Sequence, residues 1–331
     1  MRLQFSTFLD VVAYRASDIS QTSSATAFTF LEDGDETRCQ LTYRELDHRA
    51  RSIAAHLQRV TRFGDRVIIV CPPGIDYILS FLGCIYAGVV AVPSVPPTSP
   101  RTFGRLRRIV QDCEPCLVLA SKAGIEGSRV LSGEGSDTLS ALDWLRVDDL
   151  PDLSQAWTCP PLRPQHTAFL QYTSGSTGEP KGVVVSHENL IANSNLIEAT
   201  LALQPLDVVV SWLPPYHDMG LIGTILCSIH VGCHSVQLSP SAFLRRPYRW
   251  LKAISDYRAK ITVAPNFAYE LCAQKISQVQ KNQLDLSSLR FALNGAESIK
   301  LETVRRFSEE FLDCGFSPNA LIPVYGLAEA T

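Results

Sequence analysis

Short apolar runs alternate with amphipathic stretches along most of the chain, and their spacing names the elements. Thr42-Tyr43-Arg44-Glu45 has capping-box spacing and opens the amphipathic run Leu46, Ala50, Ile53, Ala54, Leu57, which predicts a helix ending near the Gly64-Asp65 turn. Val67–Val70, a Pro-Pro-Gly turn at 72–74, an apolar helix to about Ala87 and Val89–Val92 then predict a βαβ unit buried on both sides. A proline-rich connection, Pro93 to Pro100, leads to a helix from about Phe103 to Cys113 and a strand at Leu117–Ala120. Residues 122–166 are rich in Gly, Ser, Asp and Pro with little periodicity, and read as an irregular edge or linker.

Alternation resumes with strand-like Ala168-Phe169-Leu170 and Val183-Val184-Val185. Helices are expected at 188–203, 221–229, 248–257, 267–279 and 301–312, and strands at 208–212, 235–238, 261–264, 291–293 and 320–323. This order predicts an α/β fold of layered βαβ sheets flanked by helices, with a first α/β subdomain over 1–165 and a second over 166–331. Its functional groups belong in loops at the carboxyl ends of strands.

Composition narrows the function classes. Among 331 residues, 46% hydrophobic and 19% charged with a net charge of −3 describe an ordinary soluble globular protein and make no electrostatic case for nucleic acid. The arginines from Arg101 to Arg108 read as the solvated face of a helix. Two stretches lack Asp, Glu, Lys and Arg, Tyr77 to Val92 and Met219 to Leu244. The first is too short to span a membrane and the second is broken by glycines and Pro240, so no transmembrane segment is expected. The N-terminus has no apolar signal core, and ten cysteines without framework spacing fit a reducing, cytoplasmic setting. Cys113 and Cys116 form a lone CxxC, and His230, Cys233 and His234 flank one apolar strand; buried thiols are the favoured reading over a metal site.

The candidate chemistry begins at Tyr172-Thr173-Ser174-Gly175-Ser176-Thr177-Gly178-Glu179-Pro180-Lys181-Gly182, where glycines, hydroxyls and a lysine sit between two apolar strands. Glycines let successive N–H groups aim at one anion, Thr and Ser add donors, and Lys181 adds a cation, which is the composition of a phosphate-gripping loop. The Walker spacing is absent. A flexible Gly/Ser linker has the same composition but no reason to lie between buried strands.

Three further strand ends carry unusual residues. Ser211-Trp212-Leu213-Pro214-Pro215-Tyr216-His217-Asp218-Met219-Gly220 presents an imidazole beside a carboxylate; His217 could steer a substrate carboxylate, or serve the next helix through Asp218. Asn294-Gly295-Ala296-Glu297 is a turn that lets backbone approach a flat ligand. Tyr325-Gly326-Leu327-Ala328-Glu329-Ala330-Thr331 carries a stacking ring and a hard oxygen ligand suited to Mg2+.

In order and rough spacing these four segments resemble the adenylate-forming enzymes, the superfamily of acyl-CoA synthetases, luciferases and peptide-synthetase adenylation domains. Within it the chain is most similar to the fatty acyl-AMP ligases, through His217-Asp218-Met219-Gly220-Leu221-Ile222-Gly223, the Tyr-Gly-Leu-Ala-Glu-Ala-Thr ending, and the proline-rich Val92 to Pro100 segment with its following arginines. The resemblance implies the large N-terminal domain of such an enzyme, C-terminally truncated, because relatives continue past Thr331 with a ribose-binding aspartate, a hinge and a small domain bearing a catalytic lysine. It implies ATP and Mg2+ as cofactors, a medium- or long-chain fatty acid as substrate, and an acyl carrier protein as acceptor in lipid, polyketide or lipopeptide biosynthesis.

By the same resemblance Thr173, Ser174, Gly175, Ser176, Thr177, Gly178 and Lys181 form the phosphate loop, and Lys181 and His217 act in catalysis. Asn294, Gly295, Ala296, Tyr325 and Gly326 border the nucleotide, while Glu329 and Thr173 hold Mg2+. The alternatives are a long-chain acyl-CoA synthetase with CoA as acceptor and a non-catalytic nucleotide-binding fragment. An amino-acid adenylation domain is disfavoured because no acidic residue is identifiable as an ammonium partner.

Overall fold

A computed structural model describes residues 4–33, 36–132, 139, 141–173 and 180–331. In chain order the elements are α1 (Phe8–Ala16), β1 (Thr26–Glu32), β2 (Glu36–Thr42), α2 (Tyr43–Val60), β3 (Arg66–Val70), α3 (Ile75–Ala87), β4 (Val90–Pro93), α4 (Pro100–Cys113), β5 (Leu117–Ala120), α5 (Lys122–Ser132) and β6 (Asp143–Arg146). They continue as β7 (Thr167–Thr173), β8 (Lys181–Ser186), α6 (His187–Thr200), β9 (Val208–Ser211), a π-helical segment Met219–Leu226, α7 (Cys227–Val231), β10 (His234–Leu238), α8 (Pro240–Arg245) and α9 (Tyr248–Asp256). The last are β11 (Ile261–Ala264), α10 (Asn266–Lys275), α11 (Gln278–Lys281), β12 (Phe291–Asn294), α12 (Leu301–Glu310) and β13 (Leu321–Pro323).

The strands form two sheets, ordered β13-β12-β11-β9-β10-β1-β2 and β6-β5-β3-β4-β7-β8. Pairing is parallel except for β1 with β2 and β7 with β8. Strand residues alternate between cores, as the two-residue period requires. Val67 and Ile69 of β3 face a central apolar layer shared with Phe28 and Phe30 of β1, α2 and α3, whereas Ile68 and Val70 face α4 on the outer side. On the far side of the larger sheet, α9, α10 and α12 cover Val210, Val236, Val263 and Ala292. The result is five alternating layers of helix and sheet.

Sheet membership does not follow the expected division at 165/166. β7 and β8 complete the sheet of β3 to β6, while β1 and β2 join the sheet built by β9 to β13. Residues 122–166 are also more regular than their composition suggests: α5 and β6 lie there, and Gly124 is needed because a Cβ would sit 2.0 Å from the Val70 carbonyl oxygen. The helix expected over 267–279 ends at Lys275 and restarts as α11. No helix among the described residues is long and apolar enough to cross a membrane. All ten cysteines are free, and no group of three His, Cys, Asp or Glu side chains among the described residues is arranged to hold a metal. His230 bonds Asn195 at 3.1 Å and His234 bonds Thr29 at 2.8 Å.

The N-terminal helix is fastened into the central layer by polar contacts at both ends. Thr7 and Asp10 form a capping box at its start, the Phe8 N–H donates to His187 Nδ1 at 3.2 Å, and Arg15 Nε donates to the His230 carbonyl at 3.1 Å. Both histidines are almost fully buried. Burial, reinforced by the nearby His166 against the opposing charge of Asp10, lowers His187 to about 4. Burial with the charge of Arg15 lowers His230 to about 4. A histidine whose folded pKa lies below its unfolded value binds its proton more readily in the unfolded chain. Stability from this source is therefore full above about pH 6.5 and is lost as pH falls toward 4, on the order of 3 kcal/mol per histidine. The melting temperature should drop across that interval, and His187→Gln should flatten part of the drop. A variant whose pH profile parallels the wild type would refute the assignment.

Candidate active site

The β7–β8 pair sets the mouth of the glycine-rich loop. Thr173 faces Lys181 across the antiparallel register and Tyr172 faces Gly182, so the chain leaves one strand end and returns to its neighbour. Ser174, Gly175, Ser176, Thr177 and Gly178 lie outside the described residues. Lys181 is exposed at the start of β8. Below it, the Tyr172 ring occupies the space over Gly182, where a Cβ would sit 2.9 Å from Cζ. The Tyr172 hydroxyl donates to Asp112 of α4; burial and this carboxylate push the phenol far above its ordinary range. Arg105 departs from the expected solvated face. It is partly buried and donates to the Tyr172 carbonyl at 3.1 Å, because β7 ends beneath that turn of α4, whereas Arg101, Arg107 and Arg108 are exposed.

The segment after β9 is a tight turn on an aromatic base. Trp212 stacks on Phe243 with ring centroids 4.0 Å apart and meets Trp250 and Phe267 edge-on. The His217 N–H donates to the Pro214 carbonyl at 3.1 Å, and Gly220 tucks under the same carbonyl, where a Cβ would be 2.1 Å from the oxygen. His217 Nδ1 lies 2.6 Å from Asp218 Oδ1, which also accepts the Met219 N–H at 2.6 Å. Burial opposes ionisation of Asp218, but the hydrogen bond and charge of His217, with the Met219 N–H, hold its carboxyl below the usual range. Asp218 thus serves both the helix start and the imidazole, and the His217 ring remains 57% exposed.

At the end of β12, Asn294 is fully buried and accepts the Val324 N–H at 2.8 Å through its carbonyl. Its Oδ1 has no partner among the described residues. Gly295 lies against Val324, and Ala296 adopts a left-handed φ of 66°, so the turn is held in a conformation that side chains resist. Glu297 is taken up structurally: its Oε1 accepts the Phe267 N–H at 2.6 Å in the first turn of α10. After β13, Tyr325 is 86% exposed and Gly326 has open space around it. Glu329 is exposed on the turn Ala328–Ala330, which lies against β8.

These strand ends form one rim. β9, β11, β12 and β13 run parallel, so their carboxyl ends share an edge of the larger sheet. Gln171 Nε2 donates to the Tyr216 carbonyl at 3.2 Å, joining the end of β7 to the His217 turn. The contact of Ala328–Ala330 with β8 brings the Glu329 turn to the strand that starts at Lys181. The segments that carry Lys181, His217 and Glu329 are thereby linked through β7 and β8, and Tyr325 follows the neighbouring β13. The residues fit a Mg2+ ion whose remaining ligands come from bound phosphates, since such sites use one or two protein carboxylates; Glu329 with the Thr173 hydroxyl would supply the protein oxygens. Sequence reasoning missed Gln171, although a lone amide on the buried face of a strand, two residues before the loop, was visible.

A family model for the AMP-binding enzyme matches residues 16–331. The chain is 39% identical over 332 residues to the medium-chain fatty acid acyl-carrier-protein ligase JamA of Moorena producens, covering 99% of this chain and 56% of that protein. It is also 39% identical to the long-chain fatty acid AMP ligase FadD32 of Mycolicibacterium smegmatis, covering 97% of this chain and 50% of that one. The fatty acyl-adenylate ligase of Legionella pneumophila, solved in complex with acyl adenylate and pyrophosphate, superposes with a TM-score of 0.91 at 40% identity, over 99% of this chain and 56% of that one. The chain spans about half the length of the curated relatives it matches.

The β12 turn yields a direct test. In Gly295→Ala the new methyl would lie 2.5 Å from the Val324 oxygen, so β12 and β13 must separate where they border the rim. We expect a loss of about 1–3 kcal/mol in stability and weaker Mg·ATP binding by calorimetry. Unchanged melting and affinity would contradict the close approach.

Proposed function

Because the chain belongs to the AMP-binding enzyme family, we propose that the protein carrying it activates a medium- or long-chain fatty acid with ATP. The fatty carboxylate oxygen attacks the α-phosphorus, pyrophosphate leaves, and the acyl adenylate then passes its acyl group to the phosphopantetheine thiol of an acyl carrier protein with release of AMP. What supports this reading is that the segments carrying Lys181, His217, Asn294, Tyr325 and Glu329 fall at strand ends, with the Glu329 turn against β8 and the His217 turn bonded to β7 through Gln171. Relatives named as fatty acid AMP ligases and acyl-carrier-protein ligases support it.

All reacting groups are anionic, so alignment and charge neutralisation dominate the barrier. Lys181 and the glycine-rich loop would hold the triphosphate. His217, braced by Asp218, would face the α-phosphate and the carboxylate. Asn294, Gly295 and Ala296 would border the adenine with Tyr325 and Gly326 beside it. Mg2+, when bound by Glu329 and Thr173, would neutralise phosphate charge. The segment after His217 is apolar, with Leu221, Ile222 and Ile225 packed in the central layer. Asp218, the acidic residue of that turn, is already engaged by His217 and Met219 and so offers no free partner for an ammonium group.

Two outcomes are expected in the protein. Lys181→Ala and Thr177→Val should each slow pyrophosphate release about a hundredfold, on the order of 3 kcal/mol, without lowering the melting temperature; wild-type rates in both would remove the loop from the reaction. Exchange of labelled pyrophosphate into ATP should rise with acyl length over the medium range, each buried methylene contributing about 0.8 kcal/mol. Exchange driven by amino acids but not by fatty acids would reject the substrate class.

A further inference from the structure

Phe169, Gln171 and Thr173 share one face of β7. Phe169 is fully buried in the central layer and meets the Phe81 ring edge-on. Thr173 begins the glycine-rich loop. Between them Gln171 is 3% exposed, with Nε2 bonded to the Tyr216 carbonyl and Oε1 buried without a partner among the described residues. A buried amide with an unpartnered oxygen is costly, and a leucine or methionine would fill the space without that cost. What an apolar residue could not supply is the bond to Tyr216.

That bond acts on a particular peptide. The Tyr216 carbonyl and the His217 N–H belong to one plane; Gln171 holds the carbonyl at 3.2 Å, and the Pro214 carbonyl holds the N–H at 3.1 Å. Two hydrogen bonds at opposite edges fix the rotation of the plane, and with it the direction in which the His217 side chain leaves the backbone. The anchor of the carbonyl is two residues from Thr173, so the imidazole is referenced to the end of β7 and not merely to its own sheet.

We propose that Gln171 is a positioning residue, which sets His217 relative to Thr173 at the end of β7 by holding the Tyr216–His217 peptide. The proposal rests on the role given above to His217. Without the bond the peptide is held at one edge only, by the Pro214 carbonyl, and the imidazole loses its second reference, to the end of β7 at Thr173. The consequence falls on the alignment of the fatty carboxylate with the α-phosphate, which the exchange rate reads, while Mg·ATP affinity rests on the other groups named above and is unchanged.

The experiment compares Gln171→Leu, Gln171→Glu, His217→Ala and the Gln171→Leu/His217→Ala double variant of the protein, by fatty-acid-dependent pyrophosphate exchange, Mg·ATP calorimetry and thermal melting. Gln171→Leu should melt no lower than the wild type, bind Mg·ATP with the same affinity, and lose about tenfold in exchange. In the His217→Ala background the same substitution should cost nothing further, because Gln171 acts through His217. Gln171→Glu should recover exchange relative to wild type as pH falls, since a protonated carboxyl donates to the Tyr216 carbonyl and a carboxylate cannot. Full exchange in Gln171→Leu, an equal loss in both backgrounds, or a flat relative profile for Gln171→Glu would each overturn this proposal alone. Absence of fatty-acid-dependent exchange in the wild type would overturn the functional reading and this proposal with it.

Discussion

The apolar layer between the two sheets holds Phe28 and Phe30 of one sheet against Val67, Ile69 and Phe169 of the other through α2 and α3, and it places the β7 side of the rim, while the core on the far side of the larger sheet places β9, β11 and β12. Phe28, Phe81 and Phe169 are each fully or almost fully buried there, worth roughly 2–3 kcal/mol apiece relative to exposure. Because each strand presents alternate residues to the layer, a slip of one residue would turn its apolar set outward. Burial thus fixes the register of β7 in this layer and of β9 in the cores that hold Val209 and Val210, and register fixes where Thr173 and His217 emerge. The same layer explains why α1 is fastened so firmly: Arg15 bonds the His230 backbone carbonyl and the Phe8 N–H bonds His187 Nδ1 at its margin, and the second bond requires a neutral His187 because a protonated Nδ1 cannot accept.

Buried polar atoms without partners occur at several places among the described residues, Tyr77, Ser154, Ser194 and His230 among them, and four more lie along the rim. Gln171 Oε1, Trp212 Nε1, Arg105 Nε and Asn294 Oδ1 are buried and without partners among the described residues, and all four sit at or beside the ends of β7, β9 and β12. A fold selected for stability alone would replace such groups by apolar ones, since each costs on the order of 1–3 kcal/mol. At the rim these four atoms occur together with the left-handed Ala296 and the crowded Gly220 and Gly295, so several local costs meet at the candidate site. The backbone contributes as much as the side chains, because the Pro214 and Val324 carbonyls come so close to glycines that no other residue fits.

Much of this was legible in the sequence, for local reasons. α2 declares itself by a capping box, and Thr42 and Glu45 make both of its bonds. The βαβ run through β3, α3 and β4 reads from apolar runs divided by a Pro-Pro-Gly turn. What stayed hidden is non-local. β1 pairs with β10, whose residues lie some two hundred positions away, and its fully buried Thr29 interrupts the apolar run that would have announced it. α5 was obscured by Gly124, a poor helix former that is present because the Val70 carbonyl leaves no room for a Cβ. At the site, each nominated segment follows a strand, as its composition implied. The Gln171–Tyr216 bond crosses from one sheet to the other, and no periodicity encodes such a contact.

The helix after His217 shows how the turn is accommodated. Leu221 to Ile229 reads as an ordinary apolar helix, yet Met219–Leu226 winds more widely, with the Cys227 N–H bonded to the Ile222 carbonyl five residues back. Two features act in that direction. Gly220 must pass beneath the Pro214 carbonyl, and the Thr224 and Ser228 hydroxyls bond back to the Gly220 and Thr224 carbonyls, competing with the backbone ladder. Wide turns of this kind gather at functional sites, where a side chain must be aimed instead of merely packed. Here the wide winding begins at the residue after Asp218, so the irregularity falls between the rim and the buried α7. The rest of the helix can then keep its apolar residues in the central layer while the His217 turn keeps the geometry set by Pro214 and Gln171.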